Sequence, residues 1–385
     1  MSSSKSKPTL VSGALLSRRA IVRAALGCGF VPTALAQTAG GTSGRLAQLM
    51  DRAPAYQELS RDYATGIRLA WAVHGERGAP LPQVQAVEVD SRDAASVRSA
   101  LTRLRDDPGV IGLLGAVGDR VAVDSVTAAR EIGWRIAHVS PWMSDARHDD
   151  DRTVFSNFPS RATQLRYAVS AVQGMGFDRI VAVYPSAQEH ARSHGAIDAA
   201  SAQVGLRTAS LVSAAGEDTA ALSVRLAAMP GGLVLFLGGA AELAVLTQAM
   251  GARGVHRFVL SLSDVDESTL APMALDRSVP VILTQVVPNP QRSALPVALQ
   301  YRAALQRFFD EAPSSISFAG FLAGSAAAEL CRRAGARSSR DALLAEVERR
   351  APMNLGGFAI EFAEGARGSR YITHTLLGGQ GRLVG

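Results

Sequence analysis

The sequence predicts an α/β protein built on mostly parallel sheets, in two similar halves. Three observations lead there. Short apolar runs of strand length alternate with longer segments whose apolar residues recur at helical spacing, the rhythm of parallel sheets. A glycine turn follows a buried-strand run twice, at Gly115-Ala116-Val117-Gly118 and at Gly238-Gly239. After residue 159 the rhythm restarts, as a second domain like the first requires, with no strict short-period repeat.

The first strand falls on 45–51. Residues 56–74 read as loop and helix, with Ala64, Ile67, Ala70 and Trp71 on one side. Residues 84–89 alternate like a strand, and Asp93 caps a helix that runs to Arg105. The central unit spans 110–147. Val110-Ile111-Gly112-Leu113-Leu114 is too short an apolar run for a helix and reads as a buried strand. Asp119 reads as a helix cap, and Val121, Val123, Val126, Ala128 and Ala129 form the stripe of that helix. Glu131-Ile132-Gly133 ends it, 136–139 starts the next strand, and 140–144 follow as a loop. His148-Asp149-Asp150-Asp151-Arg152 lacks calcium-loop spacing and reads as a solvated turn. Residues 154–159 form a strand leading out of the first domain.

In the second half, helices fall on 162–174, 187–204, 219–229 and 242–250, between strands on 179–184, 206–212, 233–237 and 258–260. An extended apolar segment covers 279–287. Pro288 to Pro296 breaks the regularity. Helices follow on 297–309, 318–335 and 340–349, and 356–362 and 371–377 read as closing strands.

At 385 residues, 47% hydrophobic and 19% charged, the chain suits two folded domains and a large core. No uncharged apolar run reaches the roughly 18 residues of a membrane span. Ser17-Arg18-Arg19-Ala20-Ile21-Val22-Arg23 fits a twin-arginine export pattern, with 20–30 as its apolar segment and Ala34-Leu35-Ala36 as the cleavage site. The expected mature chain starts at Gln37; the alternative is a basic, disordered amino terminus. Removing Lys5, Lys7, Arg18, Arg19 and Arg23 takes the formal +6 to +6 − 5 = +1, so the basic balance is weak evidence for nucleic acid. Of two cysteines, Cys28 leaves with the signal, lipidation there being a minor alternative, and Cys331 reads as a buried inert thiol. Residues 38–44 form a small-residue leader.

A β-α-β unit with a glycine turn brings two loops to the carboxyl ends of neighbouring parallel strands, where open α/β sheets bind ligands. Gly115 and Gly118 therefore serve either a tight turn or a close backbone approach to a ligand. His190 and His194 could share a helix face as metal ligands, but no third ligand is evident. The chain lacks G-x-S-x-G, H-E-x-x-H and G-x-x-x-x-G-K-[ST] motifs, so no enzyme class is indicated, and neither metal nor cofactor is expected.

The chain resembles the solute-binding proteins of branched-chain amino acid ABC transporters, the type I periplasmic binding proteins. The strand 110–114 with its small-residue loop, and the later strand ending in Ser140-Pro141, carry the likeness. So do Arg61-Asp62-Tyr63-Ala64-Thr65-Gly66, Thr153-Val154-Phe155-Ser156-Asn157 and 176–183. Towards the carboxyl end, Gln285-Val286-Val287-Pro288 with Gln300-Tyr301, and 355–371, add to it. The resemblance implies two Rossmann-like lobes joined by three crossovers near 155–160, 284–288 and 357–362. Lobe 1 would hold 43–157 plus 286–357, and lobe 2 would hold 158–285 plus 358–385, behind a signal peptide over 1–36. It implies a periplasmic protein, cleaved after Ala36, monomeric and without nucleic acid. Such a protein captures a small polar or aromatic metabolite between closing lobes for an inner-membrane ABC permease, or alternatively senses it for a membrane receptor. The implied ligand loops fall on Ala116, Val117 and Gly118, and on Trp142 and Ser144, where hydroxyls and amides hold a ligand carboxylate in amino-acid-binding members. Ala116 lacks the hydroxyl. Trp142 either offers a stacking face or fills core. In the second lobe the implied positions are His190, Ala240, and Ser263 or Asp264, of which only Asp264 would pair with a cation. These departures make a carboxylate or another small polar or aromatic ligand as acceptable as an α-amino acid.

Overall fold

The computed structural model describes residues 44–385 apart from 271, 336–337, 364–366, 378–382 and 385. The expected signal peptide and cleavage site, and Cys28, lie outside the described residues.

The first half runs β1 (Arg45–Asp51), α1 (Gln57–Glu76), β2 (Gln83–Val89), α2 (Ala94–Arg105), β3 (Val110–Leu114), α3 (Asp119–Glu131), β4 (His138–Val139) and β5 (Val154–Phe155). These strands form one parallel sheet in the order β2-β1-β3-β4-β5. β3 is buried at all five positions, as its unbroken apolar run requires of a central strand. Asp93 caps α2 by accepting from the Ala95 amide.

The second half runs α4 (Arg161–Gly174), β6 (Arg179–Tyr184), α5 (Ala187–Val204), β7 (Arg207–Val212), α6 (Thr219–Ala228), β8 (Leu233–Phe236), α7 (Ala240–Ala252), β9 (Val259–Ser261), the short α8 (Glu267–Leu270) and β10 (Val281–Gln285). Then come α9 (Pro296–Phe308), α10 (Ser315–Ala334), α11 (Arg340–Arg349), β11 (Met353–Leu355), β12 (Phe358–Ile360), β13 (Thr373–Leu377) and β14 (Leu383–Val384). The second sheet has the order β14-β13-β10-β9-β8-β6-β7, parallel from β10 to β7 and antiparallel at β13 and β14. The fold is therefore α/β with mostly parallel sheets. Among the described residues no helix is long and apolar enough to cross a membrane.

Each sheet carries an apolar cluster on either face. α2 and α3 cover one face of the first sheet through Val97, Leu101, Val121 and Val126. Its other face packs against α1 and against α9, α10 and α11, which return to it after β10 and before β13 and β14 close the second sheet. The hairpin β11–β12 adds Phe358 and Ile360 to that same cluster. α1 and α10 touch almost backbone to backbone. A Cβ on Gly320 would sit 2.0 Å from the Tyr63 carbonyl oxygen, and one on Gly66 would sit 1.8 Å from that of Ser317. Only glycine permits this approach, and it is why α10 is buried along most of its length. Cys331 is free and buried there, and burial pushes its thiol up to about 12.

Two readings of the sequence need correction. Asp119 does not cap α3. Gly118, at φ 86, occupies the cap, and Asp119 is the first helical residue, its carboxylate turned to another task described below. Nor is 148–152 simply a solvated turn. Asp151 pairs with Arg130, and Asp149 accepts at 2.8 Å from Nε of the buried Arg367. Arg367 also donates to the carbonyls of Met143 (2.5 Å), Phe158 (3.2 Å) and Asp145. One guanidinium thereby ties the loop after β4 to the strand exit at Phe158.

Candidate functional site

In an open parallel sheet, the crevice for a ligand lies at the carboxyl ends of the strands where the order reverses. In the first sheet that place is between β1 and β3. In the second, the order β7-β6-β8-β9-β10 puts it between β6 and β8. Both open on one cavity of about 620 Å³. Pro54, after β1, and Gly118, after β3, line it from one side; Pro185, after β6, and Gly238, after β8, line it from the other. Its size falls in the range of small-molecule sites.

The first wall is aromatic. Trp142 stands edge to face against Phe158, ring centroids 4.9 Å apart, and packs at 5.9 Å on Tyr63. The Tyr63 hydroxyl donates to the Ser140 carbonyl at 2.8 Å. Ser140 is held at φ 50, a left-handed conformation unusual for a non-glycine residue. Val117 and Trp142 form an isolated parallel bridge: the Trp142 amide donates to the Ala116 carbonyl (2.8 Å) and the Gly118 amide to the Trp142 carbonyl (2.9 Å).

The second wall is charged. Arg161, just after the Ser160 cap of α4, pairs with Glu189 at 3.1 Å and with Asp264 at 2.6 Å. Arg192, one turn along α5 from Glu189, reaches across to Asp119. Asp119 also accepts from the Ser144 amide (2.5 Å), the Ser144 hydroxyl (2.8 Å) and the Asp145 amide (3.0 Å). Burial alone would raise the Asp119 pKa. Arg192 and the Asp145 and Ser144 donors outweigh it and hold the carboxyl below its ordinary value.

The periplasmic binding protein family model matches residues 45–373. The chain belongs to this family. A substrate-binding periplasmic protein from Ralstonia solanacearum is 21% identical, with a TM-score of 0.76 over 89% of this chain and 99% of that one. A leucine binding protein from Thermotoga maritima is 16% identical, TM-score 0.74, over 89% and 97%. A fatty acid ABC transporter substrate-binding protein from Thermomonospora curvata is 16% identical, TM-score 0.73, over 90% and 92%. These likenesses establish the type I fold. A comparison with curated proteins finds no match. The family is periplasmic and binds small molecules, typically in partnership with an ABC permease.

Within this periplasmic binding protein, Gly118, Trp142, Ser144, Ala240, Ser263 and Asp264 come together on the cavity lining. Ala116, Val117 and His190 do not line it. Ala116 and Val117 are buried in the core clusters on opposite faces of the first sheet. His190 packs edge-on against Tyr184 and stacks at 4.4 Å on His194. The sequence reading missed Arg161, Glu189 and Arg192, and gave Asp119 the wrong task. A signal was present: Ser186 caps α5, so Glu189 and Arg192, three apart from the first turn onward, share the face at the strand end.

Proposed function

We propose that this chain is the solute-capturing component of an ABC importer, not an enzyme, working as a monomer without nucleic acid. Its twin-arginine signal is removed after Ala36, and its lobes, expected as 43–157 plus 286–357 and 158–285 plus 358–385 but with the Phe358–Ile360 strand packed on the first, close on a small metabolite. The observation that carries this reading is the single cavity onto which the switch points of both sheets open. A solute touching both walls stabilises the closed arrangement by its extra contacts, and the permease reads that shape. Gly118, Trp142, Ser144, Ala240 and Asp264 supply the contacts at the cavity. Ala116 and Val117 support the loop from behind, and His190 supports the start of α5.

The test is a thermal-unfolding screen of the protein from Gln37 onward against amino acids, amines, aromatic acids and dicarboxylates. A solute at 100 times its dissociation constant adds about 2.7 kcal/mol to the folded state. One class of compound should raise the midpoint and be recovered unchanged. Silence across the panel overturns solute capture, and chemical turnover of the bound compound overturns the non-enzyme reading.

A further inference from the structure

We infer that Asp119 fills the cleft's own carboxylate seat, so that the solute captured is an amine without a carboxylate. The ligand class rests on the solute-capture reading; the seat does not.

Three donors on the loop after β4 converge on one point: the Ser144 amide, the Ser144 hydroxyl and the Asp145 amide. Two backbone amides and a hydroxyl at this spacing, with a guanidinium opposite, make the donor set that recognises a carboxylate. The chain supplies that carboxylate itself. Asp119 Oδ1 takes both amides, and Oδ2 takes the hydroxyl and Arg192, so each oxygen already has two donors. The position at the start of α3 adds the favourable end of the helix dipole. The neighbouring Gly118 amide offers no second seat, because it is spent on the Trp142 carbonyl. Arg161, the other arginine of the lining, is held between Glu189 and Asp264.

An incoming carboxylate would therefore have to displace Asp119. It would also enter an acidic cleft, since Glu58, Asp62, Glu242 and Asp266 join Asp119, Glu189 and Asp264 on a lining that holds only two arginines among the described residues. A cation is drawn into the same field. Trp142 and Phe158 offer its apolar part an aromatic wall, and the indole face suits an ammonium group.

The test pairs each amino acid with its decarboxylated form: phenylalanine against phenethylamine, leucine against isoamylamine, by calorimetry. In parallel, thermal unfolding of wild type and Asp119→Ala is followed in sodium acetate, with sodium chloride at matched ionic strength as control. Wild type should bind at least one amine about tenfold or more tighter than its amino acid. Asp119→Ala should narrow or reverse that ratio and gain an acetate-dependent rise in midpoint that wild type lacks. Wild type binding the amino acid as tightly as the amine overturns the ligand class. Asp119→Ala failing to answer acetate overturns the seat. Wild type silent to amines and amino acids alike overturns the ligand class, while the wider screen still decides solute capture and the acetate arm still decides the seat. The wild-type comparison stands alone if the variant does not fold.

Discussion

The two walls of the cleft are built by different means. The first is held by backbone and packing: Trp142 is pinned through both of its backbone groups, braced by Phe158 and Tyr63, and backed by the α1–α10 seam. The second is held by side-chain ion pairs among Arg161, Glu189, Asp264 and Arg192, half-buried at the ends of strands and helices. Close-packed interiors deform little, whereas partly exposed ion pairs exchange partners at small cost. The difference assigns shape to the first wall and charge to the second. Asp119 belongs to the first by sequence and to the second by its Arg192 partner.

The largest expected effect comes from the seam behind the first wall. Gly320→Val would drive side-chain carbons into the Tyr63 carbonyl and part α1 from α10. Urea unfolding should show a loss of more than about 3 kcal/mol, the upper end of overpacking costs. Gly75→Ala on the same α1, where a Cβ meets nothing within 4 Å, should leave stability unchanged or slightly raised. Equal losses in both variants would mean that close approach to α10 is not what distinguishes the two glycines.

Acid should strike next. His138 in β4 is buried, and burial lowers its pKa from 6.5 to about 4. The unfolded chain therefore binds a proton that the folded chain refuses between those values. Stability is full above pH 6.5, falls as the pH drops towards 4, and changes no further through this group below it. The loss is about 3 kcal/mol for a shift of this size. His374 in β13, on the second sheet, is likewise pushed down to about 4 by burial and adds in the same direction. Urea midpoints at pH 7 and pH 4.5 measure the sum, and His138→Gln should shrink the difference.

Trp142→Ala should cost less, about 2 kcal/mol, because the indole is only half-buried and a fully buried one costs 3–5. It should also enlarge the cavity and weaken binding of any solute with an aromatic or alkyl part. Unchanged affinity would move recognition entirely to the charged wall.

What the sequence discloses follows the same division. The strand runs, the α2 cap at Asp93 and the helices of both halves are local, and the chain shows most of them within a residue or two. α10 starts three residues before its expected position, the strand expected on 154–159 ends at Phe155, and the one expected on 356–362 is the second arm of the β11–β12 hairpin. The return of α9, α10 and α11 to the first sheet is a long-range pairing, and Gly66 and Gly320 carry no sign of each other until the fold is seen. The site divides likewise. Trp142, Ser144 and Asp264 stand at strand ends and are readable as such. Asp119 resembles an ordinary helix cap, because its true partners lie 25 and 73 residues away. Arg161, Glu189 and Asp264 meet only through tertiary structure, which pattern reading does not reach.

The smallest expected effect tests the charged wall alone. Asp264 is partly exposed, its side chain 40% accessible, and it shares Arg161 with Glu189. In Asp264→Asn the guanidinium keeps Glu189 at 3.1 Å and retains an amide oxygen in place of the carboxylate. The change in stability should stay below about 0.5 kcal/mol, within the range of surface ion pairs, and should diminish further in high salt. Thermal unfolding at low and high ionic strength measures both. A loss of several kcal/mol, insensitive to salt, would mean that this pair is structural and that the second wall, like the first, sets shape. A small, salt-sensitive loss leaves that wall free to rearrange its charges around whatever enters the cleft.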